Sequence, residues 1–219
     1  MNEFSFGKIK KKPFWDVEEE KGFVKVKAWD NHYYKVWNEG TQESIKKVAN
    51  ILADVRRDLN KLLKHIWKVQ NVANISFEGK RITWKSHPIA FGIYHTFDIH
   101  IPNGDLYGYN YQEMTPNKHG ILGLNKPKDI VTKQFNYDGK MVDYEIAQKR
   151  SMFLTIRPKL SDGGDPNVFD SYQHIMKLVL HEITHTTCND VRWKKDNHLH
   201  PFHKYEQLIK QWAKECKII

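Results

Sequence analysis

The 219-residue sequence has few cysteines and no long apolar run. Its two cysteines, Cys188 and Cys216, do not form the C-x-x-C pair of many metal sites, and their number does not indicate a disulfide framework. No stretch of ~18 apolar residues is present that could span a bilayer, and the residues after Met1 lack the apolar core of a signal peptide. These absences predict an intracellular protein, nuclear or cytoplasmic, that is neither secreted nor inserted in a membrane.

The balance of charge is strongly positive. Lys and Arg number 35 and Asp and Glu 26, which gives a formal net charge of +9. Such an excess attracts polyanions, of which nucleic acid is the commonest, although a basic enzyme without a nucleic acid partner has the same composition. The hydrophobic fraction of 40%, with 7 Trp, 10 Tyr and 11 Phe, predicts a folded globule. At this length we expect residues 1–219 to form one domain.

One short motif carries most of the chemical information. Residues 181–185 read His-Glu-Ile-Thr-His, the H-E-x-x-H pattern. Positions i and i+4 of an α-helix share a face, so His181 and His185 can both present imidazole nitrogens to one zinc ion. Zinc lowers the pKa of a coordinated water towards ~7, and Glu182 beside the first histidine can accept the proton of that water. The motif therefore predicts a zinc hydrolase with Glu182 as general base.

The residues around the motif favour a helix. Apolar residues precede and interrupt the motif at helical spacing, and Asp170 with Gln173 resembles a capping box at the start of the helix. The apolar residues are Ile175, Leu178, Val179 and Ile183.

A third ligand is expected from the histidines that follow. A catalytic zinc ion usually takes three protein ligands and keeps one open position. His198, His200 and His203 lie within the next twenty residues or so of the chain. We expect one catalytic zinc ion held by two motif histidines and one of these three. Tyr205, His200 and His203 are candidates for stabilising the tetrahedral oxyanion.

The rest of the chain predicts an α+β fold. An N-terminal extension (1–40) contains a hairpin signal, with strands 23–29 and 33–37 around Asp30. A long amphipathic helix covers 41–70 with Thr41 as N-cap. Residues 71–110 contain strand signals, including a hairpin around Glu78-Gly79 and an apolar-aromatic strand region at 89–101. Two short strands, 120–125 and 152–158, flank a polar segment (126–150), and a helix beginning near Pro201 ends the chain. The sheet is expected to be mixed and to place an edge beside the motif helix, where an extended peptide can bind by strand addition.

These segments together resemble a known family. The sequence order is the long helix, Glu113-x-x-Pro116, Gly123-Leu124-Asn125, Leu154-Thr155-Ile156-Arg157-Pro158, Phe169, the motif helix and His198-x-x-x-Phe202. This order resembles the WLM family of zinc metalloproteases and, more loosely, the SprT/Spartan-like proteases. The resemblance covers roughly 41–70 and 110–215, whereas residues 1–40 and 71–110 have no counterpart in it.

The resemblance implies a zincin-like metalloprotease domain with a mixed sheet beside the H-E-x-x-H helix. It implies His181, His185 and His198 as zinc ligands and Glu182 as general base. It also implies protein substrates that are crosslinked or tightly bound to DNA. His200 and His203 stay as alternative third ligands, because residues 186–197 intervene where the family usually has a shorter spacing.

The intervening segment is itself basic and aromatic. Arg192, Trp193, Lys194 and Lys195 can stack on a base and contact phosphates. A loop that covers the site is the equally open alternative.

Two other functions remain open on the sequence alone. One is a DNA-binding module with a structural zinc site, in which His200 or His203 would close the coordination as a fourth ligand. The other is a metal-dependent hydrolase of small molecules or nucleic acid, for which an enclosed pocket would be expected instead of an open groove along a sheet edge.

Overall fold

In the computed structural model of the chain, the described residues are 22–72, 75–77, 80–82, 109–114, 122–137, 139–158, 164–187 and 200–219. They form an α+β fold with a mixed sheet, as predicted. The strands are β1 (Phe23–Lys27), β2 (Tyr33–Trp37), β3 (Ile75–Phe77), β4 (Lys80–Ile82), β5 (Tyr109–Glu113), β6 (Gly123–Tyr137) and β7 (Lys140–Leu154). The helices are α1 (Gln42–Val72), α2 (Tyr172–Thr187) and α3 (His200–Glu215).

The predicted N-terminal hairpin and long helix are both confirmed. β1 and β2 pair antiparallel, and Asn31 adopts a φ of 66° at the turn, a conformation that Asn tolerates better than most residues. Thr41 caps α1, because its Oγ1 accepts the Ser44 N–H at 3.1 Å. The stripe of α1 that the sequence predicts as apolar is buried; it comprises Ile45, Val48, Leu52, Val55, Leu59, Leu62, Leu63 and Ile66.

The prediction for residues 120–158 was partly wrong. The two short strands are the ends of one long hairpin, and the segment 126–150 is strand, not a polar connection. β6 and β7 pair from Gly123–Leu154 to Tyr137–Lys140, and Gly139, next to the closing pair, has a φ of 71°. The outer part of this hairpin pairs with no other described strand. Ile130 and Met141 are exposed. The sequence nevertheless carries a strand signal, because Val142, Tyr144 and Ile146 alternate with Asp143 and Glu145.

The main sheet has the order β1-β2-β5-β7-β6. β2, β5 and β7 run parallel to one another, and the outer strands β1 and β6 pair antiparallel with their neighbours. The register places Glu113, Leu154 and Gly123 in one row across β5, β7 and β6. The face of the sheet that carries Leu154 packs against the helices. Its apolar residues join those of α1, α2 and α3 in a single core.

Helix α2 begins one residue later than its predicted capping box. The N-cap is Ser171, whose Oγ accepts the His174 N–H at 3.2 Å. The backbone N–H of Asp170 instead donates to the carbonyl of Ile156 at 2.9 Å, so Asp170 belongs to the connection that precedes the helix.

A buried ion pair ties the sheet to the loop before α2. The Arg157 guanidinium donates to both carboxylate oxygens of Glu113 at 2.7 Å, and neither side chain is exposed. Arg157 also donates to the carbonyls of Trp37 at 2.8 Å and of Glu39. With its donors shared among these acceptors, the buried charge is both paired and hydrogen-bonded.

Several predictions fall on other parts of the chain. In the region 71–110, β3 and β4 form the hairpin expected around Glu78-Gly79. Residues 1–21, the strand region predicted at 89–101, residues 192–195 and His198 lie outside the described residues. Of the helices in the described part of the chain, none combines the length and apolar character that crossing a bilayer requires.

Candidate metal centre

Helix α2 brings the motif side chains together. His181, Glu182 and His185 each offer one potential ligand atom, and these three atoms lie within 4.8 Å of one another. The two imidazole rings are neighbours on the helix face, with centroids 5.1 Å apart and planes at 85°. The i, i+4 spacing therefore has the consequence expected from the sequence, and the group could hold a metal ion.

The donor set fits zinc. Imidazole nitrogen is a preferred zinc ligand, with Zn–N distances of about 2.0–2.1 Å, so two nitrogens on a tetrahedral ion are roughly 3.4 Å apart. The candidate ligand atoms lie within 4.8 Å of one another, so rotation of the side chains would bring the two imidazole nitrogens to this distance. Both histidines are half-buried, whereas Glu182 is buried, with 5% of its surface exposed.

Helix α3 supports the histidines from outside. The Glu206 carboxylate lies 3.3 Å from Nδ1 of His181 and 3.0 Å from the ammonium of Lys210. With Nδ1 occupied in this way, Nε2 of His181 is the nitrogen left for a metal. The ring of Phe202 packs against both histidines, with centroid distances of 5.0 Å to His181 and 4.7 Å to His185.

Strand β6 encloses the Glu182 carboxylate. A Cβ placed on Gly123 would lie 2.9 Å from Glu182 Oε1 and 2.8 Å from Leu178 Cδ1, so only glycine allows the helix to approach this closely. Burial raises the pKa of Glu182 to about 7, and a hydrogen bond from the Asn125 backbone partly opposes that rise. The carboxyl group can therefore change protonation state near neutral pH.

The side chain of Asn125 fixes the helix to the strand. Its Nδ2 donates to the carbonyl of Glu182 at 2.6 Å, and its Oδ1 lies 3.4 Å from Arg150 Nη1. The strand that faces Glu182 is thus β6. It is not β7, the strand that directly precedes the loop before α2 and that the order of the sequence suggested.

The other predicted site residues are distributed as follows. His203 lies on α3, is exposed, and is not part of the group of three donors. Tyr205, a candidate for oxyanion stabilisation, is buried in the core with 1% of its surface exposed. His198, the side chain of His200 and the segment Arg192-Trp193-Lys194-Lys195 lie outside the described residues, so the third ligand and the predicted nucleic-acid contact stay predictions.

Sequence reasoning missed three residues that shape the site: Glu206, Gly123 and Asn125. Glu206 carries a recognisable signal, because it follows Phe202 by four residues on a helix whose start at Pro201 was predicted. Gly123 and Asn125 belong to a segment that the resemblance singled out, but it gave them no role in the site, since their proximity to Glu182 depends on how β6 packs against α2.

Comparison with known proteins adds no relative. No protein-family model, no curated protein and no solved structure matches this chain. The resemblance to WLM and SprT/Spartan-like proteases therefore stays a prediction, and the function rests on the chemistry of the site.

Proposed function

We propose that this chain is a zinc-dependent endopeptidase of the zincin type that acts on proteins bound or crosslinked to DNA. The observation that carries the proposal is the arrangement at one helix: two neighbouring imidazoles and one buried carboxylate with potential ligand atoms within 4.8 Å of one another. Glu206 and Phe202 on α3 restrain the imidazoles from one side, and β6 encloses the carboxylate from the other.

In this proposal His181 and His185 hold zinc, and His198 supplies the third ligand. Zinc when bound would acidify a water molecule and polarise the scissile carbonyl. Glu206 orients the His181 ring by its contact with Nδ1, so Nε2 is the nitrogen with which His181 would hold the zinc ion.

Glu182 has the role of general base. In the metal-free chain, burial against β6 raises its pKa to about 7, so the carboxyl group can exchange a proton near neutral pH. In this role it takes a proton from the attacking water and returns it to the leaving amine. Such a group contributes on the order of 10²–10⁴ in rate. The Asn125 backbone donates a hydrogen bond to the Glu182 carboxylate, and the Asn125 side-chain amide donates to the Glu182 carbonyl. Both contacts come from β6, so the base has a fixed position.

A protein substrate is favoured by strand β6. In the described part of the chain β6 is the outermost strand of the sheet, and its beginning contacts Glu182 through Gly123. An extended polypeptide can add to such an edge through main-chain hydrogen bonds, which a small substrate could not use. The net charge of +9 favours DNA as the partner that brings the substrate to the site.

The proposal is tested by metal analysis together with cleavage of casein, assayed with zinc and after chelation. We expect about one zinc ion per chain, cleavage that chelation abolishes and zinc restores, and loss of both zinc and cleavage in His185→Ala. His174 lies on the same helix but is exposed and pairs with Asp170, so His174→Ala is the matched control that keeps zinc and activity.

The third ligand is tested in the same assay. His198→Ala should lose zinc, whereas His203→Ala should keep it, because His203 is exposed and apart from the donor group. A protein that binds no zinc at micromolar concentrations would overturn the proposal.

A further inference from the structure

The outer face of the β1–β2 hairpin alternates aromatic and basic side chains. The register sets Phe23 opposite Trp37, Lys25 opposite Lys35, and Lys27 opposite Tyr33. Residues directly opposite each other in an antiparallel pair lie on the same face. These three rows therefore form one continuous surface, which we call the hairpin face: Phe23, Lys25, Lys27, Tyr33, Lys35 and Trp37.

The hairpin face is more exposed than the other side of the same strands, although Phe23, Lys35 and Trp37 are half-buried. Val36 and Tyr34 alternate with the hairpin-face residues and are buried in the core. On the hairpin face Tyr33 is 66% exposed, and Lys25 and Lys27 are exposed as well. At the turn of the hairpin, next to the hairpin face, Trp29 is 50% exposed, and the Arg57 guanidinium lies over its ring, 5.8 Å from the centroid.

The positive charge of the hairpin face is not neutralised by the described residues. No ion pair among them involves Lys25, Lys27 or Lys35. The nearest acid of the hairpin, Asp30, is engaged elsewhere: it accepts the Tyr34 hydroxyl at 2.6 Å and the Arg56 guanidinium at 3.4 Å.

Two like charges directly opposite in a sheet are unfavourable. Cβ atoms of such a pair are about 4.5–5.5 Å apart, and like charges at that distance destabilise the sheet. An anion bound between Lys25 and Lys35 would remove this cost. Lys46 extends the basic surface, because its ammonium contacts the carbonyl of Lys27 at the edge of the hairpin.

We infer that the hairpin face binds single-stranded nucleic acid. Lysines at neighbouring positions would contact the phosphates, while the exposed Tyr33 and Trp29 would stack on unpaired bases. An acidic polypeptide would satisfy the lysines but would make no use of the exposed ring of Tyr33, whereas Trp29 already contacts Arg57. The inference deepens the proposed function, on which it rests for the identity of the substrate, by assigning the DNA contact to a surface of this chain.

The test measures binding of a fluorescein-labelled single-stranded oligothymidylate of about 20 nucleotides. This length exceeds the roughly 4–16 nucleotides that one small single-strand-binding domain covers. The protein is the full chain at several salt concentrations. Competitors are a duplex and polyglutamate. We expect the single strand to bind more tightly than the duplex, and polyglutamate to compete weakly.

Variants of the hairpin face locate the binding. Tyr33→Ala and Trp29→Ala should each weaken binding about tenfold, because stacking on an aromatic ring contributes about that much per base. Tyr33→Phe keeps the aromatic ring and should therefore bind with the affinity of the unchanged protein. Lys25→Gln and Lys35→Gln should weaken binding and reduce the slope of log affinity against log salt by about one each.

Matched controls come from other surfaces. Met141 is an exposed apolar residue at the β6–β7 turn, and Lys214 is an exposed lysine on α3, so Met141→Ala and Lys214→Gln should bind like the unchanged protein. Unchanged affinity in the hairpin variants would overturn the inference. Equal competition by polyglutamate without an effect of the aromatic substitutions would also overturn it and would identify an acidic polypeptide as the occupant.

The same variants separate this inference from the proposed function. Cleavage of casein, which carries no DNA, should be unaffected by the hairpin substitutions. If casein is cleaved but the hairpin variants bind the oligonucleotide normally, the inference is wrong and the endopeptidase stands. If the hairpin variants lose binding but the protein cleaves nothing, the endopeptidase is wrong and the nucleic-acid surface stands.

Discussion

The Glu206 carboxylate lies 3.3 Å from Nδ1 of His181, so a side chain of α3 fixes the orientation of an imidazole of α2. Carboxylates that contact the outer nitrogen of a ligating histidine set its tautomer and raise its basicity. Glu206 is also held by Lys210 at 3.0 Å, which limits its own movement. The pair joins two helices at the point where the proposed metal would bind.

We predict that Glu206→Ala weakens zinc binding about 10- to 100-fold, the effect usual for loss of such a supporting carboxylate. Zinc affinity measured by competition with a chelating dye checks this. Glu215 is the matched control, because it is a carboxylate on the same helix that pairs with a different histidine, His65, at 2.9 Å. Equal zinc affinity in Glu206→Ala and Glu215→Ala would exclude an orienting role for Glu206.

Gly123→Ala should disturb the site through the contact of β6 with α2. The new Cβ would lie 2.8 Å from Leu178 Cδ1 and 2.9 Å from Glu182 Oε1, and relief of such overlap typically costs about 1–3 kcal/mol. We expect a lower free energy of unfolding in urea together with slower casein cleavage.

Gly139→Ala is the control for that substitution. Its Cβ would meet nothing within 4 Å, but its φ of 71° makes any side chain strained, at roughly 1–2 kcal/mol. It should therefore lose stability without a change in the rate of cleavage. Similar losses of activity in both variants would contradict the assigned contact of Gly123 with Glu182.

The buried carboxyl group of Glu182 should make metal-free stability depend on pH. Its pKa is about 7 in the folded chain against an ordinary value of 4.5, so between these values the unfolded chain releases a proton that the folded chain keeps. Stability conferred by the proton is present below pH ~4.5 and is lost as pH rises through ~7.

Glu182→Gln carries no titrating proton and should escape this loss. In chelator, we expect the variant to exceed the unchanged protein in free energy of unfolding by up to roughly 3 kcal/mol at pH 8, with little difference at pH 4. Urea titrations at the two pH values measure it. If the two proteins differ in free energy of unfolding by the same amount at both pH values, the Glu182 pKa is not raised.

The Arg157–Glu113 pair should be far more important for stability than an exposed pair. Arg157→Met would leave the Glu113 carboxylate buried without its cation, at a cost of about 3–5 kcal/mol. Arg57→Met is the control, because that arginine is exposed and pairs with Asp54 and Asp58 on the surface of α1, where such pairs contribute about 0–1 kcal/mol.

The double variant Glu113→Leu with Arg157→Met isolates the interaction. Removing both charges should restore much of the stability that Arg157→Met loses, since no charge then stays buried alone. Additive losses in the double variant would mean that the two side chains act independently.

The sequence predicted those parts of the fold and site that local periodicity determines. The stripe from Ile45 to Ile66, the turn at Asp30 and the shared face of His181 and His185 all follow from spacing along one element. The long β6–β7 hairpin was missed because the overall polarity of residues 126–150 indicated a loop, although Val142, Tyr144 and Ile146 alternate with Asp143 and Glu145. The enclosure of Glu182 by Gly123 depends on tertiary packing between distant segments, which no local pattern encodes.

The most direct test of the account compares the zinc-loaded protein with its Glu182→Gln variant on a protein crosslinked to a single-stranded oligonucleotide. Gln keeps the shape of the side chain but cannot accept the proton, so the variant should retain about one zinc ion per chain and cleave about 100-fold more slowly or worse. Cleavage of the crosslinked protein by Glu182→Gln at the rate of the unchanged chain would contradict the proposed mechanism.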